Sequence, residues 1–217
     1  MSEAKSPVLE DLVEGYRRFR SSGWSENRER WAKLKDGQEP QVMVISCSDS
    51  RVDPSQIFDV DPGEIFVVRN VAALVPPYET TPGHHGVSAA LEFAVQVLKV
   101  KEVLVMGHGM CGGCKAALSQ SLRGNAPGAG GFVDDWISLL DEAREKVVAD
   151  HGDSGRAAEI EMEHAGVRVS LENLMTFPWV KDKVESGELT LRGSFFAISD
   201  GILHLMNPET KEFEPAD

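Results

Sequence analysis

With 217 residues and 41% hydrophobic content, the chain can bury a substantial core in one domain with appendages, and it needs no disulfide or structural metal to fold. Acidic residues outnumber basic ones 35 to 22, and the resulting charge of -13 opposes attraction to nucleic acid and to anionic lipid, so neither is expected as a partner. Residues 1–20 lack the basic start and continuous apolar stretch of a secretory signal, no segment is long enough to span a bilayer, and three cysteines do not make a disulfide framework, so the expectation is a cytoplasmic protein whose cysteines serve metal binding or catalysis.

Taken in order, the chain begins with a charged stretch from Val8 to Leu34 in which Leu9, Leu12, Val13, Tyr16 and Phe19 recur at helical intervals. A break at Ser21-Ser22-Gly23 and a second helical stretch around Trp31 make this a pair of amphipathic helices preceding the main domain. Short apolar runs at Val42–Ile45, Ile65–Val68 and Val103–Met106 fit strands buried on both faces. Between the second and third, residues Gly86 to Leu98 carry a helical pattern through Ala90, Phe93, Ala94 and Val97. Beyond Cys114 come a helix, a glycine-rich loop from Gly124 to Gly131, and two further helical stretches, the first from about Phe132 to Asp150. Leu189–Ile198 and Ile202–Met206 then form an antiparallel hairpin through Ser199-Asp200-Gly201. The alternation predicts an α/β fold: a central, mostly parallel sheet flanked by helices, with an N-terminal helical extension and a C-terminal antiparallel edge hairpin. In such sheets ligands gather beyond the carboxyl ends of the strands.

Cys47 and His108 both lie at such ends, and Cys111 follows three residues after His108 in a turn rich in glycine. Zinc favours thiolate and imidazole donors, and these three can surround one ion if their strands are adjacent. A helix starting near Gly112 favours the thiolate form of Cys111. Each residue alone has an ordinary structural reading, a lone cysteine as a small buried hydrophobe and a lone histidine as a hydrogen-bonded one, but their joint placement favours the metal. A different class of reading starts from Cys111-Gly112-Gly113-Cys114, a C-x-x-C between strand and helix as in dithiol oxidoreductases. That reading leaves Cys47, His108, Asp49 and Arg51 without work, and Cys114 itself reads as structural.

The segment from Cys47 to Pro54, with Gln38, Pro62-Gly63-Glu64, Val68-Arg69-Asn70-Val71-Ala72 and the turn His108–Gly113, resembles the β-carbonic anhydrase family. The similarity runs from about Gln38 to Leu118 and continues more weakly into the hairpin. Val44 stands where one branch of the family carries a tryptophan, so the resemblance is to the plant-like branch. It implies reversible hydration of carbon dioxide to bicarbonate and a proton through a zinc-bound hydroxide. Cys47, His108 and Cys111 would be the zinc ligands, and Asp49 with Arg51 the paired groups beside the metal. Asp49 could also become a fourth ligand in a closed state. Gln38, Phe66, Val71, Phe93 and Gly112 would contact substrate, with Phe93 replacing a tyrosine common there; core packing is the ordinary reading of the three apolar ones, and scaffold that of Gln38 and Arg69. A permanently closed, non-catalytic zinc protein and a carbon disulfide enzyme would share the same constellation. Two thiolates make the zinc a weaker Lewis acid, so activity is expected to rise towards alkaline pH. Family members form a homodimer, with tetramers as a further step, so residues 1–39 would be an arm packing on a partner subunit and residues 40–217 the zinc catalytic domain.

Overall fold

The apolar runs become strands because residues such as Val, Ile and Leu, set close together with no polar alternation, are stable only where both faces are covered. The computed structural model describes residues 7–216. The first six residues of the expected arm and the last residue of the expected catalytic domain lie outside them. Contacts divide the chain after Gln38 into two units.

The first unit holds three helices: α1 (Leu9–Ser21), α2 (Gly23–Glu26) and α3 (Arg28–Leu34). The backbone N–H of Val8 donates to Asp11 Oδ2 at 2.9 Å, and Glu10 and Asp11 in the first turn, with Arg18 and Arg20 in the last, suit the helix dipole of α1. Phe19 meets Trp31 edge to face at 6.1 Å, which ties α1 to α3. No residue of α1 is buried, and Leu9, Leu12 and Tyr16 are 59–69% exposed.

The second unit contains β1 (Val42–Cys47), α4 (Pro54–Ile57), β2 (Ile65–Asn70), α5 (Gly86–Glu92), β3 (Glu102–His108) and α6 (Gly112–Ser119). It continues with α7 (Gly131–Ile137), α8 (Asp141–His151), α9 (Arg156–Leu174), α10 (Pro178–Glu185), β4 (Thr190–Ala197), β5 (Ile202–Met206) and β6 (Phe213–Pro215). One six-stranded sheet has the order β2-β1-β3-β4-β5-β6. The first four strands in that order are parallel, and β5 and β6 add antiparallel. Met43, Ile45, Val103 and Val105 pack with Leu91, Val95 and Phe177, while Val44 and Met106 pack with Leu118, Leu140 and Met162. Each fully buried side chain of this kind contributes about 1.5–3 kcal/mol.

Three elements differ from the sequence expectation. The helix expected over 132–150 is interrupted by a tighter turn at Ser138–Leu140, which separates α7 from α8. The helix expected over 86–98 widens into a π-helical turn at Phe93–Leu98 and stops at Lys99, which takes a left-handed conformation. The second expected helical stretch is two helices, because Pro178 starts α10 rather than continuing α9. The hairpin forms as expected, and β6 extends the sheet one strand beyond it.

Candidate metal centre

From β1 the chain steps to β2 on one side and then to β3 on the other, so the strand order reverses beside β1. In sheets of this kind such a switch point, beyond the carboxyl ends of the strands, is where ligands bind. The two strands are hydrogen-bonded parallel neighbours, so Cys47 and His108, their last residues, emerge side by side. A turn through Met110, whose φ is 57°, brings Cys111 back as the residue that caps α6. The turn lies against its surroundings too closely for side chains at two positions. A Cβ on Gly107 would come within 2.6 Å of Val167, and one on Gly113 within 2.8 Å of Val71.

One ligand atom from each of Cys47, His108 and Cys111 lies within 4.8 Å of the others, and all three residues are buried. His108 Nδ1 is 2.9 Å from the carbonyl oxygen of Gly109, so that nitrogen carries the proton and Nε2 keeps its lone pair. Nε2 is buried and has no hydrogen-bond partner among the described residues. The Cys47 thiol is pushed up to about 12 by its hydrogen bond with Cys111 and then by burial. The Cys111 thiol is pushed up to about 12, first by its contact with Cys114 and also by burial. Both groups therefore stay protonated in the absence of a cation, contrary to the thiolate expected of Cys111 from its place at a helix start, and a bound cation is what would hold them as thiolates; two sulfurs with one orphaned imidazole nitrogen are a donor set suited to zinc.

Asp49 stands two residues beyond Cys47, and both its oxygens are taken by Arg51: Nε donates at 2.9 Å and Nη2 at 2.7 Å. The Arg51 backbone N–H adds a third bond at 3.0 Å, and its Nη2 also donates to the carbonyl of Met110 at 3.0 Å. Arg51 therefore links the loop after β1 to the turn after β3. Its hydrogen bonds hold the Asp49 carboxyl well below the usual carboxylate range, so the group stays ionised. Asp49 is engaged with Arg51 and is not among the three clustered donors.

Several supports for this arrangement were not assigned from sequence. Arg69 donates to the carbonyls of Cys47 at 2.9 Å and Asp49 at 2.6 Å, and to Asp53 Oδ2 at 2.9 Å, while Asp53 Oδ1 caps α4 by accepting from Ser55 N–H. Arg69 was visible in its motif, but its three targets come together only through the pairing of β1 with β2. Trp136 Nε1 donates to the Val71 carbonyl at 2.8 Å. Glu163, buried in α9, accepts from the Cys111 backbone N–H at 3.2 Å and from both terminal nitrogens of Arg156. No local signal marks Glu163, which is 52 residues from Cys111.

The expected substrate residues separate. Val71 lies against the start of α6 and, with Asn70, His84, His85, Phe132 and Trp136, lines a cavity of about 540 Å3. Gly112 is the exposed first residue of α6, and a side chain there would meet nothing within 4 Å. Phe66 is in register with Met43, four residues before Cys47, which puts it about 13 Å down the sheet. It packs instead against Phe93 at 5.8 Å, and Phe93 is 43% exposed. Within one chain, then, Phe66 and Phe93 are not brought to the metal cluster. Gln38 is the last residue of the N-terminal unit.

A family model described as carbonic anhydrase matches residues 42–203. Beta carbonic anhydrase 5, chloroplastic, of Arabidopsis thaliana is 36% identical over 195 residues, covering 89% of this chain and 63% of that protein. The chain belongs to the β-carbonic anhydrase family. Beta carbonic anhydrase 3 of the same plant is 34% identical over 208 residues, 95% of this chain and 80% of its own length. The solved structure of the β-carbonic anhydrase CcaA superposes with a TM-score of 0.88 at 30% identity, covering 96% of this chain and 92% of that one. The family span holds the whole Cys-His-Cys cluster, the Asp49–Arg51 pair and the Arg156–Glu163 pair. Membership in the β-carbonic anhydrase family and the donor set together make zinc the cofactor.

Proposed function

We propose that this protein catalyses the reversible hydration of carbon dioxide to bicarbonate and a proton, with zinc held by Cys47, His108 and Cys111. The observation that carries the reading is the buried Cys-His-Cys cluster beside a carboxylate whose two oxygens are both held by arginine. Zinc bound there supplies Lewis acidity, which lets a water molecule ionise at accessible pH. Asp49 is too weak a base to keep a proton, so its part is to accept a hydrogen bond from the attacking oxygen and aim that oxygen at carbon. Arg51 keeps the carboxylate turned towards that task and away from the donor set. Val71 and the open space above Gly112 suit a small apolar substrate, and Gln38 is assigned to orient bicarbonate.

The pocket is completed by a second copy of the chain. The exposed apolar residues of α1 and the exposed Phe93 beside Phe66 are surfaces a partner would cover, which supports a dimer at least, with residues 1–39 as the arm. Three free cysteines suit a reducing compartment, and the cytoplasm is the compartment proposed. The dithiol reading is the weaker one: Cys114 lies beside Cys111, but Cys111 also groups with Cys47 and His108, and a dithiol at Cys111 and Cys114 would leave those two donors and the Asp49–Arg51 pair without a role.

Stopped-flow measurement of carbon dioxide hydration, run with metal analysis on the same preparation, tests the proposal. One zinc per chain with turnover that rises towards alkaline pH is the expected result. Zinc without turnover at any pH would overturn the hydratase assignment.

A further inference from the structure

The helix α9 presses one face against the turn that carries two of the three donors. Arg156, Glu163 and Val167 follow one another at intervals of seven and four, which places them on a single side of the helix. Val167 fills the space beside Gly107, where no side chain fits at position 107. Glu163 is 3% exposed, and its Oε1 accepts from the backbone N–H of Cys111 at 3.2 Å. Arg156 Nη1 donates to that same oxygen at 3.0 Å, and Nη2 to Oε2 at 3.1 Å, so the carboxylate cannot rotate without losing a bond.

Cys111 is the residue that caps α6. In many helices the N–H of the capping residue is satisfied by a glutamate three positions into the same helix. Here that position is Cys114, which has no carboxylate to offer, and Glu163 supplies the acceptor from another helix. The bond sets the orientation of the Cys111 peptide, and so the direction in which its sulfur leaves the backbone.

We propose that Glu163, held by Arg156, is a positioning residue for the metal centre: by fixing the Cys111 backbone it aims the Cys111 sulfur at the ion shared with Cys47 and His108. The inference rests on the metal reading above. It concerns zinc retention and ligand geometry, not contact with substrate.

The test uses the purified full chain, with zinc affinity measured by competition against a chromophoric chelator and ligand geometry read from the visible absorption of the cobalt-substituted protein. Glu163→Leu keeps the volume and removes the acceptor. It is expected to weaken zinc binding about 10- to 100-fold and to move the cobalt bands, since outer-shell partners of metal ligands carry effects of that size. Glu163→Gln retains an acceptor for the Cys111 N–H and should recover most of the affinity, which a merely structural ion pair would not produce. A folded Glu163→Leu protein with wild-type affinity and an unchanged cobalt spectrum would overturn the inference. Should that variant not accumulate as a folded protein, Arg156→Gln decides, because its side chain is 44% exposed. It is expected to lose affinity on the order of tenfold, and no loss would overturn the inference equally. A wild-type chain that takes up no zinc would instead bring down the metal reading itself.

Discussion

Two arginine–carboxylate pairs flank the metal-binding turn, alike in their half-exposed arginines and different in their span along the chain and in the burial of the carboxylate. Asp49–Arg51 is local, joining residues two apart in the loop after β1, and its carboxylate side chain is 19% exposed. Glu163–Arg156 spans two turns of α9, and its carboxylate side chain is 2% exposed. Both are bidentate, and each also reaches the turn after β3: Arg51 through the Met110 carbonyl, Glu163 through the Cys111 N–H. A carboxylate that water still reaches costs less to release from its arginine, whereas a fully buried one that loses its partner retains an uncompensated charge. The first pair is therefore suited to work at the reaction, and the second to hold the scaffold still.

The strongest way to break this comparison is Arg51→Ala. It releases Asp49 towards the donor set, and carbon dioxide hydration should fall on the order of a hundredfold or more through loss of orientation, with zinc content and thermal midpoint little changed. Retained activity in stopped flow would remove Asp49–Arg51 from the reaction. Arg156→Gln should show the opposite pattern in denaturant unfolding: a loss of about 3 kcal/mol in stability, because Glu163 stays buried without its cation. Equal stability losses in the two variants would erase the distinction between them.

A smaller effect comes from His164, next to Glu163 on α9. Burial, reinforced by Arg168 and His204, pushes it down to about 4, and its ring stacks on Phe213 at 4.2 Å and meets Phe195 edge-on at 4.6 Å. Between its ordinary value near 6.5 and about 4, the unfolded chain binds a proton that the folded chain refuses, so stability is lost as pH falls through that window. Allowing for partial exposure, about 2 kcal/mol should disappear, and His164→Phe should flatten the dependence in unfolding curves taken from pH 7 to pH 4. A slope unaltered by the substitution would assign the acid sensitivity elsewhere. The smallest effect is expected for Cys114→Ser, which should leave hydration and zinc content near wild type. Loss of activity with zinc retained would restore the C-x-x-C reading.

Much of the centre was legible because its parts are short in sequence or end on strands. Cys47 closes one apolar run, His108 another, and Cys111 follows within a turn, so their meeting required only that β1 and β3 be neighbours. Asp49 and Arg51 are close enough in the chain to be paired by eye. Glu163 was not legible, since Glu159, Glu161 and Glu163 alternate along α9 and look alike as a string. The three have different ends in the fold: Glu159 bonds Lys115, Glu161 bonds Arg168, and Glu163 turns inward to Cys111. Phe66 and Phe93 were likewise grouped with Val71 by motif, and the register of β2 against β1 separates them.

Local chemistry therefore determined the strands, the donor types, the capping position of Cys111 and the Asp49–Arg51 pair, because each depends on residues within a few positions of one another. Tertiary structure alone decided which side of α9 faces the turn, how Arg69 braces the loop from β2, and which apolar residues reach the cluster. Those depend on the rotation of a helix and the register of a sheet, which follow from packing over the whole core and not from any short stretch of the chain.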